Sequence, residues 1–193
     1  MPPKYVLDSF SDYGNETMTH SPPTTAIAAA NQFLKFAQAE PQYTFDQMKL
    51  QKLLFYAHAW HLAYEKGPLF ENDFEAWPWG PVVRDVYIQT KDAGRGRICN
   101  YLTELDWNLP NGPRAVAPDG VSDETTRAFL KSVWDTMKAY TGVQLSNSTH
   151  APGEPWTLVA QAVGTGGKPM ISNDLIRSVF KKKLEAASAN PAT

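Results

Sequence analysis

Cysteine is nearly absent from the sequence: Cys99 is its one cysteine among 193 residues. No disulfide can form within a single chain, and a metal cage built from several thiolates is excluded. The sequence also has no uninterrupted apolar run of about 18–20 residues, the length that spans a membrane, and its N-terminus lacks the basic flank and apolar stretch of a secretory signal. We therefore expect a cytoplasmic protein without a membrane partner.

Net charge is small as well. The 18 Lys and Arg residues nearly balance the 20 Asp and Glu residues, which leaves a formal charge of −2. Such a chain has no long-range positive field that would draw it to nucleic acid. We therefore do not expect nucleic acid as a partner.

Several enzyme signatures are missing from the sequence. It contains no glycine-rich phosphate loop followed by Lys-Ser/Thr, no G-x-S-x-G elbow and no H-E-x-x-H motif. The glycine-rich residues 164–167 are interpreted as a flexible loop, because they lack the helix and the Lys-Ser/Thr pair that would follow a phosphate cradle. We expect a protein that is not an enzyme and needs no cofactor.

Aromatic residues are abundant, at 12% of the sequence with six tryptophans. Each buried aromatic ring removes about 150–250 Å² of surface from water, so a substantial core can form. Recurring helical periodicity predicts a mainly α fold: one compact domain of about five to seven helices around a central buried helix, with a small β element. We expect a flexible leader at residues 1–23, the domain at 24–187 and a disordered tail at 188–193.

The central helix is predicted from two apolar rows that continue for several turns after residue 50. A capping box of Thr44 and Gln47 would start it, since each side chain can satisfy the other residue's free backbone N–H. Gly67 and Pro68 would end it, because glycine tolerates a left-handed cap and proline cannot continue a helix. This helix is expected to be buried on both faces.

The remaining elements follow from turn and cap residues. Residues 73–79 alternate loosely as a short strand would, and Pro78 would confine that strand to a sheet edge. Pro81 is expected at the first position of a helix. Ser122 and Ser172 would cap two later helices, the second of which runs to about residue 187. Between the helix expected from Pro81 and the one capped by Ser122, the sequence predicts a long connection over residues 95–120.

Two histidines and a glutamate lie on the central helix. His58 and His61 are three residues apart and Glu65 follows one turn later, so the three can share one side and suit zinc or a similar divalent ion. A metal-assisted hydrolase built on them, together with His150, is therefore one hypothesis for the function. The alternative is that His61, on the most apolar row, is a hydrogen-bonded core residue.

His150 also has two interpretations. With Glu154 as its acid partner it would serve as a general base. Alternatively, Thr149 and His150 tie a turn between two helices through side-chain hydrogen bonds. The second interpretation predicts a structural role.

The most unusual composition lies in residues 77–83, W-P-W-G-P-V-V. Two tryptophans and two prolines make a stiff amphipathic segment of the kind found in protein interfaces. Either this segment is a binding surface, or Trp77 belongs to the core and only Trp79 is partly exposed. Both interpretations stay open.

The last helix carries basic residues on one side: Arg177, Lys181, Lys182 and Lys183. A solvated face with charges favourable at a helix C-terminus explains them. A DNA-binding regulator of its own operon is the competing hypothesis, and it predicts binding that weakens steeply with salt.

Several blocks of the sequence stand in a distinctive order. They are residues 48–62, 68–70, 75–77, 79–83 and 86–87, then Leu145-Ser146, Thr149-His150 and Pro155-Trp156. This order resembles the pattern of the Panacea domain, the family of SocA-like antitoxins. The match covers roughly residues 24–180 and leaves the leader outside, and it departs from the usual pattern at Ser148 and in the long connection over residues 98–120.

The resemblance implies a bacterial or phage antitoxin that neutralises a cognate toxin by direct contact. A special case in the family implies an adaptor that hands its toxin to a cytoplasmic protease. The resemblance implies no catalytic residue. Combined with the aromatic segment, it predicts a partner-binding surface formed by Trp79, Val82, Arg84 and Tyr87, with Thr149, His150 and Trp156 shaping the same face.

Overall fold

The helix α2 (Gln47–Ala63) is buried along nearly its whole length in the computed structural model of the chain. The structure describes residues 24–64 and 66–189. Apolar side chains cover both faces of α2, so neighbours can pack around it, and the prediction of a central buried helix in a mainly α fold is confirmed. Among the described residues six further helices accompany it: α1 (Ala26–Ala39), α3 (Arg84–Thr90), α4 (Glu124–Met137), α5 (Gly142–Thr149), α6 (Pro155–Val163) and α7 (Asn173–Ala189).

Contacts of α2 with α1, α4, α5 and α7 bring most of the core together. Two lysines of α2 are buried within it, and each ammonium finds a backbone carbonyl. Lys49 Nζ donates to the carbonyl of Lys138, just past the end of α4, at 2.6 Å. Burial lowers the pKa of Lys49 to about 8. Lys52 points toward the small sheet, where its Nζ donates to the carbonyl of Pro81.

A three-stranded antiparallel sheet lies against the helices in the order β2-β1-β5. Its strands are β1 (Phe74–Trp77), β2 (Gly80–Val82) and β5 (Met170–Ile171). Alternation sets the two faces of β1, because Phe74 and Ala76 are buried while Glu75 and Trp77 are half-buried on the other side. A separate antiparallel hairpin, β3 (Glu104–Asp106) with β4 (Arg114–Val116), lies within the long connection.

The sheet corrects two sequence predictions. Pro78 does not confine β1 to an edge: β1 is the central strand, because it ends at Trp77 and the proline falls in the turn beyond it. Pro81 does not begin a helix either. It lies in β2, and α3 begins at Arg84 with Val83 as its N-cap.

The helix starts differ from the predicted caps in two cases. Asp46 caps α2 by accepting from Lys49 N at 2.8 Å, in place of the predicted Thr44–Gln47 box. Asp123 caps α4 by accepting from Thr126 N at 2.7 Å, one residue beyond the predicted Ser122. Aspartate makes a strong N-cap because it brings both an acceptor and a negative charge to the helix N-terminus.

At the chain ends the predictions are tested only in part. The predicted flexible leader lies outside the described residues. The helix α7 continues to Ala189, two residues further than predicted, and residues 190–193 of the predicted tail also lie outside the described part.

Candidate functional site

The turn between β1 and β2 presents one large aromatic side chain to solvent. Trp79 is 71% exposed, and Pro78 beside it is also exposed. Gly80 follows with a φ of +104°, a conformation that L side chains rarely adopt. We call residues 74–82, with their turn, the Trp79 hairpin.

Helix α2 holds the hairpin from below through two side chains. Lys52 Nζ donates to the carbonyl of Pro81 at 3.0 Å. Gln51 accepts from Val83 N at 2.8 Å and donates to the carbonyl of Val83 at 3.2 Å, so its amide acts as a strand would. The approach is close enough that a Cβ on Gly80 would lie 2.6 Å from Lys52 Nζ.

Helices α5 and α6 hold the turn itself. The carbonyls of three consecutive residues each face one side chain: Trp156 Nε1 donates to Trp77 at 2.8 Å, His150 Nε2 lies 3.3 Å from Pro78, and Ser146 Oγ donates to Trp79 at 2.9 Å. Three helices therefore fix the backbone of this turn. Because the turn is already ordered, it would lose less conformational entropy on binding a partner than a flexible loop would.

His150 is tied to the backbone and to a ring. Its Nδ1 lies 2.6 Å from the carbonyl of Ser146, and its ring centre lies 3.8 Å from that of Trp156. Thr149 is buried, and its Oγ1 donates to the same Ser146 carbonyl at 2.7 Å. These contacts support the interpretation that Thr149 and His150 tie the turn, whereas Glu154, the suggested acid partner, pairs with Lys183.

The outer face of β1 carries a charged and aromatic network. Arg84 Nε and Nη2 donate to the two carboxylate oxygens of Glu75 at 2.8 and 3.1 Å. Burial by itself would raise the pKa of Glu75, but the hydrogen bonds from Arg84 and Trp77 outweigh it and lower that pKa. Trp77 packs against Tyr87 in a tilted arrangement with ring centres 4.5 Å apart, and Lys168 Nζ lies 3.8 Å from the centre of the Trp77 ring. Trp77 is therefore half-buried in a network and is not a core residue.

The seven predicted partner-binding residues are drawn together around the hairpin but differ in exposure. Trp79 and Arg84 are exposed, Tyr87, His150 and Trp156 are half-buried, and Val82 and Thr149 are buried. Buried residues offer no side-chain surface, so Val82 and Thr149 can contribute only by holding the surface in place. Sequence reasoning did not select four further residues that shape the site: Gln51, Lys52, Glu75 and Ser146. The available signal was the adjacent polar pair Gln51 and Lys52 on a helix that is buried on both faces.

The residues of the metal hypothesis have other partners. His58 Nε2 lies 2.9 Å from Asn173 Oδ1, and its ring packs on Phe70 at 4.7 Å. His61 Nδ1 lies 2.8 Å from the carbonyl of Gly67. Glu65 lies outside the described residues, and within residues 24–64 and 66–189 no three metal-ligating side chains gather. His58 is a buried, hydrogen-bonded core residue, whereas His61, for which the sequence predicts that role, is hydrogen-bonded but only half-buried.

The basic side of α7 is partly neutralised. Arg177 forms an ion pair with Asp174 at 3.6 Å, and Lys183 pairs with Glu154. This favours the solvated-face interpretation over a nucleic-acid surface. In the described part of the chain, none of the helices combines the length and the apolar character that a membrane crossing requires.

Comparison with known proteins gives a consistent result. Residues 50–157, more than half of the chain, match the family model described as antitoxin SocA-like, Panacea domain. The chain is also 28% identical to antitoxin SocA of Caulobacter vibrioides (strain NA1000 / CB15N) over 176 residues, which cover 90% of this chain and 92% of that protein. No solved structure matches the chain. The matched residues run from α2 through the Trp79 hairpin to the start of α6, and the chain belongs to the SocA-like antitoxin family with a Panacea domain.

Proposed function

We propose that this protein is an antitoxin that neutralises a cognate bacterial or phage toxin in the cytoplasm by direct contact, without bond chemistry of its own. The observation that supports this most is the Trp79 hairpin. It combines a tryptophan side chain that is 71% exposed with a backbone whose carbonyls are already engaged by three helices.

An exposed tryptophan on a fixed backbone has the properties of a binding hot spot. Its large ring supplies contact area, and little conformational entropy is lost because the turn is already ordered. A standard interface buries about 800 Å² on each partner, which is more than one side chain can cover. Trp79 would therefore form the centre of the interface, and neighbouring residues would form its rim.

Arg84 supports the same surface in a different way. Its side chain is 54% exposed although its Nε and Nη2 both donate to Glu75. Holding the guanidinium in one place reduces the entropy lost when a partner approaches, and arginine is enriched at hot spots. The fitting partner surface is an apolar pocket for Trp79 with polar acceptors at its edge.

The test is co-expression with the toxin, sought first in the neighbouring gene, and measurement of growth and affinity. We expect Trp79→Ala to weaken toxin binding by about 30-fold or more, since hot-spot truncation costs about 2 kcal/mol or more, and to abolish growth rescue. Trp107→Ala is the matched control, because Trp107 is also 71% exposed but lies beyond β3. Equal effects of the two variants, or none of either while both remain folded, would refute the placement of the surface.

The adaptor hypothesis makes a separable prediction. If the protein delivers its toxin to a protease, the toxin level falls on co-expression and recovers when the cytoplasmic proteases are inactivated. If it neutralises by contact, growth is rescued while the toxin level stays constant. We expect the second outcome, because the rigid surface suits stable occlusion of the toxin.

A further inference from the structure

Lys52 is a cationic side chain in an unusual place. It is 1% exposed, and its ammonium lies under the Trp79 hairpin with the Pro81 carbonyl at 3.0 Å. Gly80 leaves the space that the ammonium occupies, since a Cβ there would meet Nζ at 2.6 Å and Thr149 Oγ1 at 2.8 Å. The amine is therefore fitted against the backbone that carries Trp79.

Other titratable groups surround this position, but none balances the charge of Lys52. His150, directly after α5, faces Pro78, and Tyr56 lies one turn further along α2. Glu154 and Lys183, from α6 and α7, pair with each other, as do Glu75 and Arg84. Burial lowers the pKa of Lys52 to about 7, with no contribution from a charged group among the described residues.

We propose that Lys52 is the positioning residue of the Trp79 hairpin, and that protonating its amine loosens the hairpin. A neutral amine donates to the Pro81 carbonyl at little cost. A buried ammonium with one neutral acceptor lacks most of its solvation, and opening the hairpin restores water to it. The biological consequence, weaker toxin capture as the pH falls toward 7, rests on the function proposed above.

The direction follows from proton linkage. In an opened hairpin the amine has its ordinary pKa of 10.5, and in the closed one a pKa of about 7. The opened state therefore binds more protons between those two values, and the closed state is favoured as the pH rises. The fraction of opened hairpin should change by up to about tenfold per pH unit above pH 7 and level off below it.

Amide hydrogen exchange of the isolated full-length chain tests this without a toxin. After correction for intrinsic exchange, protection of the β1 and β2 amides should rise by up to about tenfold from pH 7 to pH 8, while amides of the separate β3–β4 pair show no such step. Lys52→Met removes the charge at similar length and should remove the step. His150→Gln, which removes the other titratable group on the turn, should retain it.

Lys49→Met is the matched control. Lys49 is equally buried on the same helix and also donates to a carbonyl, but that carbonyl belongs to Lys138 and not to the hairpin. The hairpin step should persist in this variant. A step that survives in Lys52→Met, or that disappears in Lys49→Met as well, would overturn the proposal.

Two further arms keep the test decisive. If Lys52→Met does not fold by circular dichroism, the wild-type chain decides: a step in the β1 and β2 amides that β3 and β4 lack supports the proposal, and a step shared with β3 and β4 refutes it. Toxin affinity is then measured between pH 7 and 8.5. A hairpin step without an affinity change leaves Lys52 as the positioning residue and refutes the proposed binding surface, whereas an affinity change without a hairpin step refutes the role of Lys52.

Discussion

Gly80 is a position in the Trp79 hairpin where any other residue would be strained. Its φ of +104° disfavours any L side chain, and the space beside it is already filled by Lys52 Nζ and Thr149 Oγ1. A side chain at this position would therefore strain the backbone, and its Cβ would also clash with these two groups.

Gly80→Ala should lower the free energy of unfolding by about 2–4 kcal/mol, from backbone strain and displacement of Lys52 together. Gly153→Ala is the matched control: Gly153 also has a positive φ, +81°, but nothing lies within 4 Å of a Cβ built there. It should lose only about 1 kcal/mol. Urea denaturation of both variants measures the difference, and equal losses would show that crowding at Gly80 has no energetic weight.

The residue scale also shows what the sequence could predict about the site. Both interpretations of residues 77–83 leave Trp79 at least partly exposed, and it is exposed. The burial of Val82 and Thr149 could not be predicted, because it depends on strand pairing and on α5 packing from 67 or more residues away along the chain.

At the scale of elements, side-chain amides stand in for missing strand partners. Asn31 of α1 accepts from Leu102 N and donates to the Leu102 carbonyl, both at 2.9 Å. Gln89 of α3 forms the same pair of bonds with Thr103, at 2.8 Å each. The long connection has little regular structure of its own, so such amides satisfy backbone groups that would otherwise be unpaired.

These two amides form a natural comparison, because one is buried and the other exposed. Asn31→Ala should destabilise the fold by about 2–3 kcal/mol, since it leaves the N–H and carbonyl of Leu102 unpaired away from water. Gln89→Ala should cost less than about 1 kcal/mol, because water can replace the lost bonds. Thermal and urea unfolding give both values, and a larger loss for Gln89→Ala would contradict this account.

Helices were predicted better than strands for a physical reason. Local periodicity and caps define α4 and α7, and both helices begin within one residue of their predicted starts. Pro81 has the right residue type for a helix start, yet it lies in β2 because Lys52 and Gln51 bind the extended backbone there. Pairing partners distant in sequence decide such cases, and local patterns do not record them.

At the scale of the whole molecule, buried titratable groups make stability depend on pH. Burial lowers the pKa of His58 to about 4, below its ordinary 6.5. The unfolded chain therefore binds more protons than the folded one between these values, so stability falls as the pH falls below about 6.5. The lowered pKa values of Lys49 and Lys52 also make stability fall as the pH falls, but mainly above pH 7. Between pH 5 and pH 7 the change in stability therefore comes mainly from His58.

The unfolding free energy of the wild-type chain should therefore drop by about 2 kcal/mol between pH 7 and pH 5. His58→Gln should be less stable at pH 7 but should show a much smaller drop. Phe74→Leu is the control, because it disturbs packing against the His58 ring without removing a proton site. It should lower the whole curve and keep its slope; a flattened slope in this control would remove His58 as the cause.

Backbone groups along the outer edge of β2 are already hydrogen-bonded, which limits how a partner can bind there. Its groups at Trp79, Pro81 and Val83 already bond to Ser146, Lys52 and Gln51, and proline has no N–H to offer. A partner therefore cannot extend the sheet at the β2 edge by β-augmentation, the mode of capture that relies on main-chain hydrogen bonds. At the Trp79 hairpin it has to contact side chains, so we expect that exchanging one exposed ring can redirect the protein toward another target while the structure beneath stays intact.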